Sequence, residues 1–214
     1  MRAPRQPPRT PNRVQQRTPR QTELLDQLEE LFLRQGFAHL TLDDIVSELR
    51  CSKMTLYTLA PSREQLILAV LRRYFEQAGD RISDHLGQYR TSTRRIRAVL
   101  DATNRELRRI TPESFNDMIG YSTTHELYEA FARSCAQRLL EVLTTMLGPG
   151  DDNLATSRFL SEVARMVFDE MLTGDLEQRT GLDSHDALEH LIRLVQATAS
   201  RSGSRSGARI ERIK

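Results

Sequence analysis

Residues 41–66 read TLDDIVSELRCSKMTLYTLAPSREQL, and this stretch decides the fold. Thr41 precedes an apolar series with a helical period, and Asp44, three residues later, completes the arrangement of a capping box. Ser52 is a favourable cap for a second short helix, which Pro61 ends. The stretch therefore predicts two short helices joined by a tight connection.

A longer helix is predicted on each side of these two. The preceding one ends at Gly36, which favours a left-handed helix end, and its apolar stripe consists of Leu24, Leu25, Leu28, Leu31 and Phe32. Ser62 and Gln65 form a second capping box, which opens a helix reaching about Leu86. Further helical patterns cover residues 93–109, 113–122, 125–147, 153–173 and 184–199.

Composition agrees with this pattern. Leu, Ala, Arg, Glu and Gln recur along the 214 residues and Trp is absent, which favours helices over strands. The sequence therefore predicts an all-α protein of about nine helices. A three-helix N-terminal module with a helix-turn-helix would precede a larger helical bundle.

The third short helix, expected from Ser52 to about Leu59, carries the functional prediction. A second and third helix joined by a short turn can place the third in a DNA major groove. Its outward residues would be suited to contacts with phosphates, base edges and thymine methyl groups, and they are Lys53, Met54, Thr55, Tyr57 and Thr58. Any short amphipathic helix has such a face, so the pattern alone leaves DNA binding open.

Residues 21–75 resemble the TetR family of bacterial transcriptional regulators. The matching segments are Gly36-Phe37, Thr41-Leu42-Asp43-Asp44-Ile45-Val46, Ser52-Lys53-Met54-Thr55-Leu56-Tyr57 and Pro61-Ser62-Arg63-Glu64-Gln65-Leu66. The resemblance implies phosphate contacts from Thr41, Tyr57 and Arg63. It also implies groove contacts from the recognition helix, through Ser52, Lys53, Met54, Thr55 and Thr58.

Two positions depart from the family's pattern. Thr58-Leu59-Ala60 stands where the family usually has aromatic or His residues, so the packing beneath the next helix must differ. Arg50 stands at a turn position that Gly often fills, and we expect its side chain to be solvent-exposed.

The resemblance also implies that the bundle holds an effector site and that its last two helices form a homodimer interface. The predicted interface residues are Phe159, Val163, Met166, Val167, Leu188, Leu191, Ile192 and Val195. Both apolar stripes could equally be ordinary core, because periodicity does not identify the surface that a stripe packs against. No effector-binding residue is predicted.

Four regions are expected along the chain. Residues 1–20 read as a disordered Arg/Pro-rich arm, 21–75 as the DNA-binding domain, 76–199 as the effector-binding and dimerisation domain, and 200–214 as a basic flexible tail. Residues 1–22 carry six arginines and no acid. We expect the arm to raise DNA affinity without setting sequence preference.

Two other classes of function compete with DNA binding. An enzyme is disfavoured because none of the five His residues pairs at the i, i+3 or i, i+4 spacing of metal ligands, and no phosphate loop or nucleophile elbow occurs. We expect no cofactor and no metal, and free thiols at Cys51 and Cys135. A helical protein- or nucleic-acid-interaction module with basic ends is the other rival.

The sequence-based hypothesis is a cytoplasmic homodimeric regulator that binds double-stranded operator DNA and has no membrane segment. It would act as a repressor that a small, largely apolar effector releases from DNA. A DNA-binding regulator without a ligand is the alternative.

Overall fold

The computed structural model describes residues 18–210, and the side chains of residues 18–199. This part of the chain consists of ten α-helices without a strand. They are α1 Pro19–Gln35, α2 Leu42–Leu49, α3 Lys53–Tyr57, α4 Arg63–Gly87, α5 Ser92–Leu107, α6 Pro112–Gly120, α7 Ser122–Leu147, α8 Asp151–Thr173, α9 Asp175–Thr180 and α10 Ser184–Ile210. The predicted all-α class is confirmed, and none of these helices is long and apolar enough to cross a bilayer.

Local capping interactions explain the starts of the first helices. The Thr41 amide donates to the Asp44 carboxylate at 2.8 Å, and the Asp44 amide donates back to the Thr41 hydroxyl at 3.2 Å, which is the predicted capping box of α2. Thr18 and Gln21 form a similar box at the start of α1. Each box satisfies amides that the first turn of a helix leaves without a partner.

Arg50 ends α2 in the left-handed conformation, with φ of 49°. Among the described residues it is the one non-glycine residue with positive φ. A Cβ makes this conformation unfavourable by about 1–2 kcal/mol, so the turn between α2 and α3 is strained relative to a Gly there. The Arg50 residue is exposed, as predicted from the sequence.

Helix α4 connects the three short helices to the bundle. Its buried face runs from Leu66 to Leu86, and the helix contacts α1, α5 and α7. The buried apolar residues of α1–α4 and those of the bundle form one continuous core. The predicted domain boundary after residue 75 lies inside α4 and stays a prediction.

The bundle consists mainly of α5, α7, α8 and α10, which pack against one another. Helix α6 lies between this bundle and the N-terminal helices, because it contacts α1 as well as α7 and α8.

A network of ion pairs also joins α1 to α4 and to the end of α5. Glu29 is buried and accepts hydrogen bonds from Arg73 at 3.1 Å and Arg109 at 2.8 Å. Glu106 is buried as well and accepts two bonds from Arg81, at 2.9 and 2.7 Å. Hydrogen-bonded pairing of this kind offsets the cost of removing the carboxylates from water.

Three helix predictions differ from the structure. Helix α9 lies where the sequence predicted only glycine breakers, and its acidic first turn and Arg179 in its last turn suit the helix dipole. Helix α10 continues to Ile210, so residues 200–210 are helical rather than the predicted flexible tail; extending an existing helix costs less than starting one. Helix α1 begins at Pro19, inside the predicted arm, whose residues 1–17 lie outside the described part of the chain.

Candidate nucleic-acid interface and bundle cavity

Helix α3 is a short helix on the surface, and one buried residue packs it against the core. Leu56 is buried, whereas Met54 is 75% and Tyr57 47% exposed. Lys53 and Thr58 are exposed too. The predicted recognition residues therefore form an exposed surface with an apolar centre.

The hydroxyl groups of this surface already have local partners. Ser52 caps α3 by accepting from the Thr55 amide at 3.1 Å, and the two hydroxyl oxygens lie 2.8 Å apart. The Thr58 hydroxyl donates to the Thr55 carbonyl at 2.7 Å. A hydroxyl has one proton and two lone pairs, so Thr58 retains capacity to accept a hydrogen bond.

Lys53 is paired with Asp43 of α2, with 2.7 Å between Nζ and Oδ1. The hydrogen bond and charge of Asp43 raise the pKa of Lys53. Both side chains are at least half exposed, so the pair contributes little to stability, but it places a negative charge beside the candidate DNA surface. Asp43 is not among the residues predicted from the sequence to contact DNA.

Thr41 is exposed at the start of α2, and its hydroxyl donates to the Asp44 carboxylate at 2.6 Å. The hydrogen bonds from the Thr41 hydroxyl and amide lower the pKa of Asp44. The predicted phosphate contact of Thr41 would therefore lie next to an ionised carboxylate.

Arg63 binds the chain's own backbone. Its guanidinium donates to the carbonyls of Phe37, Ala38 (2.9 Å) and Leu40 (2.5 Å), in the turn between α1 and α2. The family resemblance implies a phosphate contact from Arg63, and such a contact would compete with these bonds. In the structure Arg63 positions the turn.

Asp117 of α6 binds the same turn from the other side. Its Oδ2 accepts from the amide of Phe37 at 2.6 Å and from that of Ala38 at 2.8 Å. Gly36 makes this approach possible: its φ is 76°, and a Cβ there would lie 2.4 Å from Asp117 Oδ2. The start of α2 is therefore held by α4 and by α6 together. No local signal in the sequence links Asp117 to residues about 80 positions earlier.

The residues predicted for the dimer interface divide into two groups. Phe159 and Met166 of α8 are 65% and 59% exposed. Val163 and Val167 are half-buried. The four predicted residues of α10 are instead buried in the chain's own core, and they are Leu188, Leu191, Ile192 and Val195.

The stripe on α10 faces α5, α7 and α8 of the same chain. The predicted role of these four residues in a dimer stays a prediction, although they are buried within one subunit. Leu194, which lies off that stripe, is 53% exposed.

A cavity lies inside the bundle between α5, α7 and α8. The space between its walls is narrow and has room for about one water molecule. Its walls are mostly apolar, formed by Val99, Leu100, Leu107, Phe131, Ala132, Cys135, Leu139, Ala164 and Phe168, together with the polar residues Thr103, Ser161, Tyr128, Arg165 and Asp169.

Cys135 in the wall and Cys51 in the N-terminal module are both free thiols, as predicted. Burial raises the pKa of Cys135 to about 11 and also raises that of Cys51. Both thiols are therefore weak nucleophiles near neutral pH.

The sequence profile described as "Bacterial regulatory proteins, tetR family" matches residues 24–70. The resemblance to the TetR family is confirmed. The match covers α1, α2 and α3 and the first part of α4, so these helices are a TetR-family domain. No curated protein sequence matches the chain.

Solved structures share the fold of almost the whole chain. A TetR-family transcriptional regulator from Streptomyces coelicolor is 19% identical, with a TM-score of 0.66, and the match covers 85% of this chain and 95% of that one. The reduced form of NemR from E. coli is 17% identical, with a TM-score of 0.63 and coverage of 83% and 96%.

The superantigen pfit also has this fold, at 17% identity, a TM-score of 0.57 and coverage of 81% and 87%. Likeness at this level of identity shows the fold alone. The TetR-family domain, rather than the bundle, therefore carries the argument about function.

Replacing Asp117 with Asn should loosen the turn between α1 and α2. The charge-assisted bonds to Phe37 and Ala38 contribute about 1.5–3 kcal/mol each, so exchange of these two amides should accelerate by at least about tenfold. Amide hydrogen exchange measured by NMR tests this. Glu113→Gln, an exposed carboxylate on the same helix, is the matched control, and equal protection in both variants would contradict the role of Asp117.

Proposed function

We propose that the protein is a sequence-specific DNA-binding transcriptional regulator that acts as a homodimer. The observation that carries the proposal is the exposed recognition surface of α3, presented by a TetR-family domain. Helix α3 has only five residues and contacts too few base pairs to be specific alone, which supports a paired site.

The charges of this surface indicate how it would bind. Lys53 is the one cation of this surface and forms an ion pair with Asp43. Met54 and Tyr57 are its large exposed apolar side chains. Base edges and thymine methyl groups suit this apolar centre better than phosphates do. The predicted arginine arm, which lies outside the described residues, would supply attraction to phosphate.

The proposed dimer interface is the exposed face of α8 and α10. These helices pack side by side and expose Phe159, Met166 and Leu194. Large apolar side chains exposed together are typical of surfaces that bind a partner. A second copy burying this face would place two recognition helices on one DNA duplex.

We also propose that a small effector in the bundle cavity releases the protein from DNA. Phe131 of the cavity wall stacks on Phe75 of α4, with ring centroids 5.0 Å apart. The Tyr74 hydroxyl donates to the carbonyl of Glu106 at 2.6 Å, next to the wall residue Leu107. A ligand that widens the cavity would move these contacts and therefore α4. At its other end, α4 binds the turn between α1 and α2 through Arg63.

The narrowness of the cavity favours a second candidate, in which the regulator has no ligand and the bundle serves only dimerisation. Reciprocity distinguishes the two: an effector that weakens operator binding must itself bind more weakly when operator is present.

Selection of bound duplexes from a random pool at raised salt tests the proposed function. We expect enrichment of a near-palindromic site whose half-sites lie about one helical turn, ~34 Å, apart. Shuffled duplexes of the same length and composition are the control. A helical module that binds only through its basic ends would lose nearly all affinity at that salt and enrich no sequence.

Replacing Asp43 with Asn should strengthen binding to every duplex. The change frees Lys53 and removes a negative charge near phosphate, so log K against log salt should become steeper by about one unit. Fluorescence anisotropy at several salt concentrations measures the slope. Glu48→Gln makes the same charge change in the same helix but next to Arg34 of α1; an equal effect in this control would show that only net charge matters.

A double replacement, Met166→Glu with Leu194→Glu, should produce folded monomers. Both side chains are exposed in one subunit, so the helical circular dichroism should be unchanged while sedimentation shows half the mass. Leu191→Glu should unfold the chain instead, because Leu191 is buried. Ile119→Glu changes an exposed apolar residue of α6 and is the control; a wild-type monomer at micromolar concentration would contradict the interface.

A further inference from the structure

We propose that the bundle cavity binds a small aromatic molecule carrying one protonated amine, an inference that rests on the proposed effector site. The cavity combines aromatic walls with a polar end that can accept hydrogen bonds and carries an excess of negative charge. The walls favour a flat apolar ligand, the acceptors favour a ligand that donates hydrogen bonds, and the charge disfavours an anion.

The walls suit a flat apolar body. Phe131, Phe168 and the ring of Tyr128 line the cavity. Phe75 stacks behind Phe131, and Phe115 lies edge-on to Tyr128 at 5.0 Å. Aromatic rings favour edge-to-face and offset contacts with another ring, and they attract a cation placed over a ring face.

The polar end lies where α7 meets α8. The Tyr128 hydroxyl donates to Oδ1 of Asp169, and Arg165 donates to Oδ2 at 2.8 Å. A carboxylate has about four lone-pair positions and a phenol oxygen has two, so both groups can accept further bonds. The proton of Tyr128 is already used. Asp169 and Tyr128 therefore favour a ligand that donates hydrogen bonds.

The charge around Arg165 disfavours an anionic ligand. Arg165 contacts the carboxylates of both Asp169 and Glu162, at 2.8 and 3.1 Å. Burial raises the pKa of Asp169, and Glu129 and Glu162 raise it further, although Tyr128 and Arg165 act in the opposite direction. Glu129 is paired with Arg133, so its charge is largely compensated.

A carboxylate ligand would thus add a third negative charge beside Asp169 and Glu162, which share the single cation Arg165. An ammonium group would add a partner for Asp169 and would favour its ionised form. The space as it stands holds little more than one water molecule, so the apolar walls would have to move apart to admit even a single ring.

Calorimetric titration of the full-length protein with three ligands of equal size tests this assignment. The probes are benzylamine, benzyl alcohol and benzoate, which carry the same ring with a cationic, a neutral and an anionic group. We expect benzylamine to bind about tenfold or more tightly than the other two, because a hydrogen bond between charged groups contributes about 1.5–3 kcal/mol. Equal binding of all three, or strongest binding of benzoate, would overturn the proposal.

Two variants test whether the amine of benzylamine binds Asp169. Asp169→Asn should reduce benzylamine affinity to the level of benzyl alcohol without changing that of the alcohol. Glu162→Gln removes a charge from the same Arg165 but lies largely in solvent and outside the cavity wall, so it should change benzylamine affinity less than threefold or so. Retention of the amine preference in Asp169→Asn would overturn the assignment.

Thiol labelling gives a second measurement in the wild-type chain. Benzylamine should slow labelling of Cys135, in the cavity wall, and leave that of Cys51 unchanged, as peptide mass spectrometry would show. Unaltered labelling of Cys135 in the presence of bound amine would place the amine elsewhere and overturn the proposal.

The failures of the two proposals are distinguishable. Bound benzylamine that leaves operator affinity unchanged would support the ligand assignment and contradict effector-controlled release. A chain that selects an operator but shows no preference for the amine would contradict the ligand assignment and leave DNA binding intact.

Discussion

The turn between α1 and α2 is the constraint on which the rest of the arrangement depends. Asp117 binds two of its amides and Arg63 binds three of its carbonyls, so both sets of backbone groups are satisfied from outside the turn. Because α2 starts directly after the turn, the orientation of α2 and α3 is determined by α4 and α6. Movement of either helix relative to the other must break or shift these bonds.

In the proposed regulator, the candidate recognition surface and most of the positive charge lie in different parts of the chain. The surface of α3 is nearly neutral, since Lys53 is compensated by Asp43. The first 22 residues of the sequence instead carry six arginines and no acid. On the proposed function, this segment would raise total affinity while α3 discriminates among sequences, so affinity would depend more strongly on salt than discrimination does.

The sequence predicted those parts of the structure that depend on interactions between residues close together in the chain. Side-chain helix caps join residues three positions apart, so the starts of α2 and α4 could be identified directly, although Ser62 caps α4 without the reciprocal bond of a capping box. The apolar stripe of α1 has an equally local cause. Asp117 could not be identified, because its partners are about 80 residues away. The cavity was missed for the same reason, since Tyr128 and Asp169 come from different helices.

Helix α10 illustrates a different limit. Its strongest apolar stripe correctly predicted a helix, but amphipathicity gives the same signal for a stripe that faces the core and one that faces a partner. Only the packing of α5, α7 and α8 showed that Leu194 is exposed and that four others are core residues, namely Leu188, Leu191, Ile192 and Val195.

Helix α4 also determines how the two parts of the chain depend on each other for stability. One continuous apolar core includes Leu25 of α1, Leu56 of α3 and Leu139 of α7, and Glu29 and Arg109 add a buried ionic link beside it. Neither half can lose its structure without exposing the surface that α4 buries in the other. The two functional regions therefore form one cooperative folding unit, in which damage to the bundle lowers the population of folded recognition helix as directly as damage to the recognition helix itself.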